Sequence, residues 1–277
     1  PGKLEDYLGV GKVSSRLPLI LLPTTAGTGS EVSTNIVVKT SSGIKDLVIS
    51  PILQPDVAII DPNLSSTSPP KVTAGTGFDA LSHAVESMLS VDSNVITDCL
   101  NLEAIRLIGK YLRTAYYQGY NLEARMGMAM AATIAGITLS NTGAVMGHGV
   151  AMQIGGKLHI PHGEACALAL PYSMEYDLPV AERKLATITS ALGVDTTGLS
   201  DKEAARKGII MVKCLAEEFG MKTTLQQIGI EKNEVEKLVT EYLAGPAIEA
   251  KWWDPRDTNK ATLLQLYDAM WSGTLCE

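Results

Sequence analysis

GTGFDALSHAVE, Gly75–Glu86, and the later GHGVAMQIGGKLHIPHG, Gly147–Gly163, are the stretches on which the reading of this chain turns. Asp79 and His83 in the first are four residues apart, which stacks both side chains on one face of a helix, one turn apart. In the second, His148 leads into a helical run that ends at Gly155-Gly156, and Pro161-His162-Gly163 comes after it. A helix then supplies one imidazole and the loop behind it the next. Three of the chain's four histidines belong to this set. A carboxylate with three imidazoles suits a divalent ion of the Fe²⁺ or Zn²⁺ kind better than Mg²⁺ or Ca²⁺. Taken singly, each residue has a plainer account: a solvated Asp/His pair, a core histidine, a turn histidine. His159 lies three residues from His162 across a proline and is expected to point elsewhere.

Around these stretches the sequence is helical. Apolar residues recur at three and four spacing, giving candidate helices over 70–90, 94–114, 121–139, 144–157, 163–176, 180–192, 201–219, 232–243 and 258–271. Gly119, Gly193, Gly220 and Gly245 fall at the expected helix exits. Upstream, LPLILL, TNIVVK, LVIS and DVAII between residues 17 and 60 read as short β-branched strands and pieces of a buried sheet. The change of pattern lies near 62–70, which divides the chain into a strand-rich part, 1–65, and a helical part, 66–277. The first part is too small for a full doubly wound nucleotide-binding domain, which needs several βαβ units of about 30 residues each.

The loop Pro23–Glu31, PTTAGTGSE, follows a strand and is rich in small and hydroxyl residues. Its N–H groups and the hydroxyls of Thr24, Thr25 and Thr28 leave room for a ribose, a nicotinamide amide or a phosphate, although such a segment between strands is ordinarily a turn. Gly75-Thr-Gly77-Phe-Asp-Ala80 fits G-x-G-x-x-A formally, but no strand precedes it, so the dinucleotide reading fails. The pentapeptide TAGTG occurs at Thr25 and again at Thr73 without any sustained repeat.

With 277 residues, 45% of them hydrophobic, the chain can bury a large core, and its formal charge of −7 argues against a nucleic-acid surface. Cys99, Cys166, Cys214 and Cys276 are too scattered for a disulfide scaffold and read as reduced thiols in a cytoplasmic protein. Cys166, four residues after His162, is taken as a small buried thiol outside the ligand set. The opening PGKLEDYLGVGK has no signal-peptide pattern, and no apolar run reaches the about 20 residues of a membrane span. No membrane or nucleic-acid partner is expected.

Taken together, PTTAGTGSEV, KDLVISPILQPDVAIIDP, GFDALSHAVE and NTGAVMGHGVAMQIGGKLHIPHG resemble the iron-containing, or group III, alcohol dehydrogenase family, and the likeness runs to the tail DPRDTNKATLLQLYDAMW. The resemblance implies a nucleotide-binding α/β domain followed by a larger all-helical metal domain of the dehydroquinate synthase-like kind, with the active site between them. It places the family's metal ligands on Asp79, His83, His148 and His162, its cofactor-contacting threonines on Thr24, Thr25 and Thr28, and its ribose-contacting lysine on Lys45. The implied activity is hydride transfer between an alcohol or aldehyde and NAD or NADP, assisted by Fe²⁺ or Zn²⁺, in a homo-oligomer.

Two departures accompany it. The family's Gly-rich phosphate loop belongs upstream of Pro23 and has no counterpart in residues 1–23, so the resemblance implies a chain without most of the cofactor domain. Met152 stands where the family commonly carries a histidine near the nicotinamide, and a thioether exchanges no proton. A non-redox metal protein of lyase or hydrolase type, or a non-catalytic fragment, are the alternatives.

Overall fold

The computed structural model describes residues 2–39 and 45–275. Among the described residues five short strands precede residue 60: β1 (Gly9–Val10), β2 (Ile20–Leu21), β3 (Asn35–Lys39), β4 (Lys45–Ile49) and β5 (Val57–Ala58). They form two small sheets. In one, β4 is central, pairing parallel with β1 (Gly9 with Val48) and antiparallel with β3 (Ile36 with Val48); in the other, β2 and β5 pair in parallel, Ile20 with Val57. Arg16 braces the second sheet through a bidentate pair with Asp56, whose carboxylate also accepts the Leu19 N–H at 2.7 Å. These bonds hold the Asp56 pKa down at about 2.

The strand segments were expected to be buried, and most are not. Val48 is buried, but Ile20 is 57% exposed and Val37 56%. Parallel strands are normally covered on both faces, and here the helical part covers only some of the surface these strands present. LPLILL and DVAII also contribute only two paired residues each to strands.

The helices follow the sequence pattern closely: α1 (Pro70–Leu89), α2 (Val95–Tyr117), α3 (Leu122–Thr142), α4 (Met146–Leu158), α5 (His162–Ala191), α6 (Asp201–Glu218), α7 (Val235–Ala244) and α8 (Lys260–Ser272). One difference is that 163–176 and 180–192 form a single helix, α5, with Pro179 inside it and a non-helical residue at Ala181. Proline removes an N–H and crowds the preceding turn, and the chain answers with a kink where a gap was expected. Gly193 and Gly220 leave their helices with positive φ; Gly245 is extended, at φ −95°.

Polar caps fix the helix starts. Asn94, Asn121, Ser200 and Asn259 each accept N–H bonds from the first turn of the helix that follows. α1 lies at the centre, packed against α2, α3, α4 and α5, and 16 of its 20 residues are buried. One apolar core joins α1, α2, α3 and α6 to the middle and end of α5; a second joins α4 and the front of α5 to α7 and α8. The candidate ligands lie where these two cores meet. No single helix among the described residues is long and apolar enough to cross a membrane.

Candidate metal centre and cofactor cleft

Asp79, His83 and Glu86 all point from the buried length of α1, and each is less than 5% exposed. Buried polar groups need partners, and these find them on α4 and α5. Asp79 Oδ1 stands 3.5 Å from His83 Nε2 and 3.4 Å from His162 Nε2. His162 Nε2 lies 3.0 Å from His148 Nε2, and the rings of His83 and His148 are 4.8 Å apart at their centroids. His162 was placed in a loop by the sequence; it is the first residue of α5, with Pro161 as its N-cap. His159 closes α4 at φ 55° and is exposed.

Close backbone contact makes this convergence possible. A Cβ on Gly163 would stand 2.8 Å from the Gly75 Cα and nearer still to its carbonyl, so the start of α5 lies directly against α1. The loop at Pro23–Glu31 docks in the same way. Gly29, at φ 59°, lies against Gly136 and the Ala132 carbonyl of α3, and Gly27 against Thr76 of α1. The buried Glu31 accepts the Thr133 hydroxyl at 2.6 Å. The two TAGTG segments thus touch through Gly27 and Thr76, and the small residues of the loop serve helix packing.

Three residues that the ligand set leaves out complete the cluster. Cys166 is buried one turn beyond His162, and its sulfur faces Asp79 Oδ1 and His162 Nε2, each at 3.7 Å. It is therefore both a buried thiol and part of the polar cluster. Its spacing of four from His162 was the available signal. Glu86 accepts the His148 N–H at 2.9 Å and stands 3.9 Å from His148 Nδ1; it shares the face of α1 that carries His83, three residues before it. Asp254 accepts the Met146 N–H at 2.9 Å and the Thr258 hydroxyl at 3.2 Å. No local pattern marks Asp254, which lies more than 100 residues from its partner.

Burial sets the electrostatics. It pushes the Glu86 carboxyl well above the carboxylate range against the opposing His148 N–H, with Asp254, Asp177 and Asp79 adding to the rise. Burial raises Asp254 to about 7 and lifts Asp177 and the Cys166 thiol well above their ordinary values. The donor set suits a divalent ion. Two ligands at about 2.0–2.3 Å from one ion, at tetrahedral or octahedral angles, stand about 2.8–3.8 Å apart, and the nearest donors here are 3.0–3.5 Å apart. The buried Nδ1 of His83 has no hydrogen-bond partner among the described residues, while its Nε2 faces Asp79 Oδ1.

The cluster opens into a cleft of about 1580 Å³ between the strand part and the helices, lined by Thr28, Asp79, His83, His148, Met152 and His162 among others. Thr24 and Thr25 are not among its lining residues, and Thr24 is exposed. Lys45 opens β4, but its side chain lies outside the described residues.

Residues 2–62 match the family model for iron-containing alcohol dehydrogenase, and residues 73–271 match that for the C-terminal part of the Fe-containing alcohol dehydrogenase family. The chain belongs to the iron-containing alcohol dehydrogenase family. Within this family of metal-dependent oxidoreductases, it is 38% identical over its whole length to long-chain-alcohol dehydrogenase 1 of Geobacillus thermodenitrificans, of which it covers 70%. Its fold is similar to that of a 1,3-propanediol oxidoreductase crystal structure, with TM-score 0.91 and 34% identity, covering 98% of this chain and 71% of the other. It is also similar to sulfoacetaldehyde reductase from Bifidobacterium kashiwanohense in complex with NAD⁺, with TM-score 0.84 and 31% identity, covering 99% and 70%. The chain spans between 56% and 70% of the length of eight curated family relatives.

Proposed function

We propose that this chain carries the metal half of an alcohol dehydrogenase active site and transfers hydride between a small alcohol or aldehyde and NAD(P). The observation that carries the reading is the meeting of Asp79, His83, His148 and His162, from three separate helices, at the floor of one cleft. These four residues would hold Fe²⁺ or Zn²⁺, and Asp79 is the one formal negative charge among them. When bound, such an ion polarises the substrate oxygen as a Lewis acid.

The chain's own residues prepare the site. Glu86 and Asp254 hold the start of α4, and with it His148, by accepting the His148 and Met146 N–H groups. Asp79 and His83 sit on a helix too deeply packed to move aside, so the ligand face is rigid before substrate arrives. Thr28 lines the same cleft and supports a nicotinamide cofactor binding there, with Thr24 and Thr25 in the adjoining loop and Lys45 on the strand beyond. Met152, one turn after His148, lines the cleft and can take no proton, so a proton relay from the alcohol would have to use water or another residue.

NAD is supported as the cofactor by the NAD⁺ complex of sulfoacetaldehyde reductase; NADP is tested beside it. We place the protein in the cytoplasm as a homo-oligomer, with 1–65 as a partial nucleotide-binding domain and 66–277 as the metal domain. Exposed apolar residues such as Ile20 and Val37 in the strand part support self-association. The deciding experiment is a turnover assay with short-chain alcohols and aldehydes, Fe²⁺ or Zn²⁺, and each nicotinamide cofactor. Metal-dependent change in cofactor absorbance is expected; metal binding with no such change overturns the hydride reading in favour of a non-redox site.

A further inference from the structure

We propose that Trp253 and the cleft wall around it select the tail of the substrate, a monofunctional alcohol or aldehyde with an unbranched aliphatic chain. This rests on the hydride reading above and narrows its substrate. Trp253 lines the same cleft as His83, His148 and His162. Its backbone is fixed from both sides. The Trp253 carbonyl accepts the Val91 N–H at 3.0 Å, and the carboxyl of the next residue, Asp254, accepts the N–H of Met146, two residues before His148. The indole lies directly against Gly143, where a Cβ would stand 2.6 Å from two of its ring carbons. Gly143 also has φ 69°, a conformation that side chains disfavour, so this position stays open for the ring. Trp253 thus covers the segment that leads into α4 and the imidazole that α4 carries.

Polar side chains share the helix side of the cleft, but their donors are engaged within the protein. Ser140, Asn141 and Thr142 donate to the Gly136, Ile137 and Thr138 carbonyls one turn back on α3. Gln153 donates to the Leu238 carbonyl and accepts the Tyr267 hydroxyl, and Lys157 pairs with Glu241 at 2.5 Å. Around them Leu139, Ala144, Met152, Ala250 and Trp253 present apolar surface to the same space. A second hydroxyl or an anionic group on the substrate would give up water here for donors that already have partners. A methylene chain gains by leaving water for such a wall, and the indole offers it a broad, rigid face.

The test measures kcat/KM on the whole Zn²⁺-loaded chain for ethanol, n-butanol, n-hexanol and glycerol, and for n-butanal against its anionic counterpart succinic semialdehyde. Each added methylene should raise kcat/KM by about fourfold. Glycerol should fall below n-butanol, and the anionic aldehyde below n-butanal, by about tenfold or more. In Trp253→Ala the ratio of n-hexanol to ethanol, which a partial loss of fold or metal does not move, should drop about tenfold, with Trp253→Phe in between. A flat wild-type series, a preference for glycerol or the anion, or an unchanged ratio in Trp253→Ala would each overturn the inference and leave the hydride reading standing. If nothing turns over, the hydride reading fails, and saturation-transfer NMR on the same chain decides the pocket. There n-hexanol should receive saturation in wild type and far less in Trp253→Ala; no transfer, or equal transfer in both, would overturn the pocket.

Discussion

Substituting Gly163 by Ala separates the role of one backbone contact from that of the ligands themselves. The new methyl would lie 2.8 Å from the Gly75 Cα and closer to the Gly75 carbonyl, backbone atoms that cannot rotate out of the way. Bringing those contacts out to the about 3.5 Å of ordinary carbon packing moves the first turn of α5 from α1 by roughly 1 Å. His162 travels with α5, so its present 3.4 Å separation from Asp79 Oδ1 opens by a comparable amount. Metal sites tolerate about 0.2 Å in ligand distance, so Gly163→Ala should weaken Zn²⁺ binding by about 10–100-fold, the range seen when groups supporting a ligand are removed. The overpacking itself should cost about 1–3 kcal/mol.

Gly75→Ala is the control, since its methyl meets nothing nearer than 3.9 Å. It should leave metal binding unchanged and stabilise α1 by up to about 1 kcal/mol, because alanine favours the helix over glycine. Zn²⁺ affinity is read by competition with a chromophoric chelator, and stability by urea unfolding with metal removed. If Gly163→Ala binds Zn²⁺ as tightly as wild type, or Gly75→Ala weakens binding as much as Gly163→Ala does, the Gly75–Gly163 contact does not set the ligand geometry.

Three further perturbations have clear signs. Asp254 is raised to about 7 from an ordinary 3.8, so the folded state keeps a proton that the unfolded chain has already lost. With metal removed, stability should therefore fall as pH rises from about 4 to about 7 and then level off, by up to about 4 kcal/mol from this group; Asp254→Asn should flatten that part of the slope in urea titrations, and equal slopes would count against it. Glu86→Ala should lower Zn²⁺ affinity by about 10–100-fold in chelator competition while Glu86→Gln, which keeps an acceptor for the His148 N–H, loses less. Arg125→Ala removes bonds to the Thr73 hydroxyl and to the Ser68 and Gly119 carbonyls from a buried guanidinium; it should cost about 2–4 kcal/mol in urea unfolding, with metal affinity changed little.

The helical part was legible because its signal is periodic and its punctuation local. Asn94 and Asn121 start helices where the pattern predicts, and Gly193 and Gly220 end them. The strand part was legible only as composition. Runs such as LPLILL look buried because burial is the usual fate of such residues, and no single segment tells how much of a sheet surface other elements will cover. At the site, the pair Asp79 and His83 followed from one helical turn. His162 on α5 was harder, because whether Pro161 caps a helix or sits in a loop depends on what α5 packs against. Cys166 had the right spacing but an ordinary alternative, and Asp254 had no signal at all. What joins these residues is the Gly75–Gly163 contact and the capping of α4, both long-range.

The buried acids of this site divide their work by the backbone they meet. His148 lies in the first turn of α4 and His162 opens α5, so two helix N-termini, each with about half a positive charge, face the place where the cation would bind. Val145, the N-cap of α4, makes no side-chain cap bond, and the missing acceptors come from Asp254 at the Met146 N–H and Glu86 at the His148 N–H. Those two carboxyl groups thus satisfy the start of α4 as hydrogen-bond acceptors, and Asp79 is left to face the place of the ion. Burying them raises their pKa values, a cost that a packed helix start and a fixed His148 offset. A count of acidic residues near the cluster would overstate the number of oxygen ligands. The hydrogen bonds to α4 sort the ligand from its supports, which is why loss of Glu86 should loosen the metal while removing no atom that touches it.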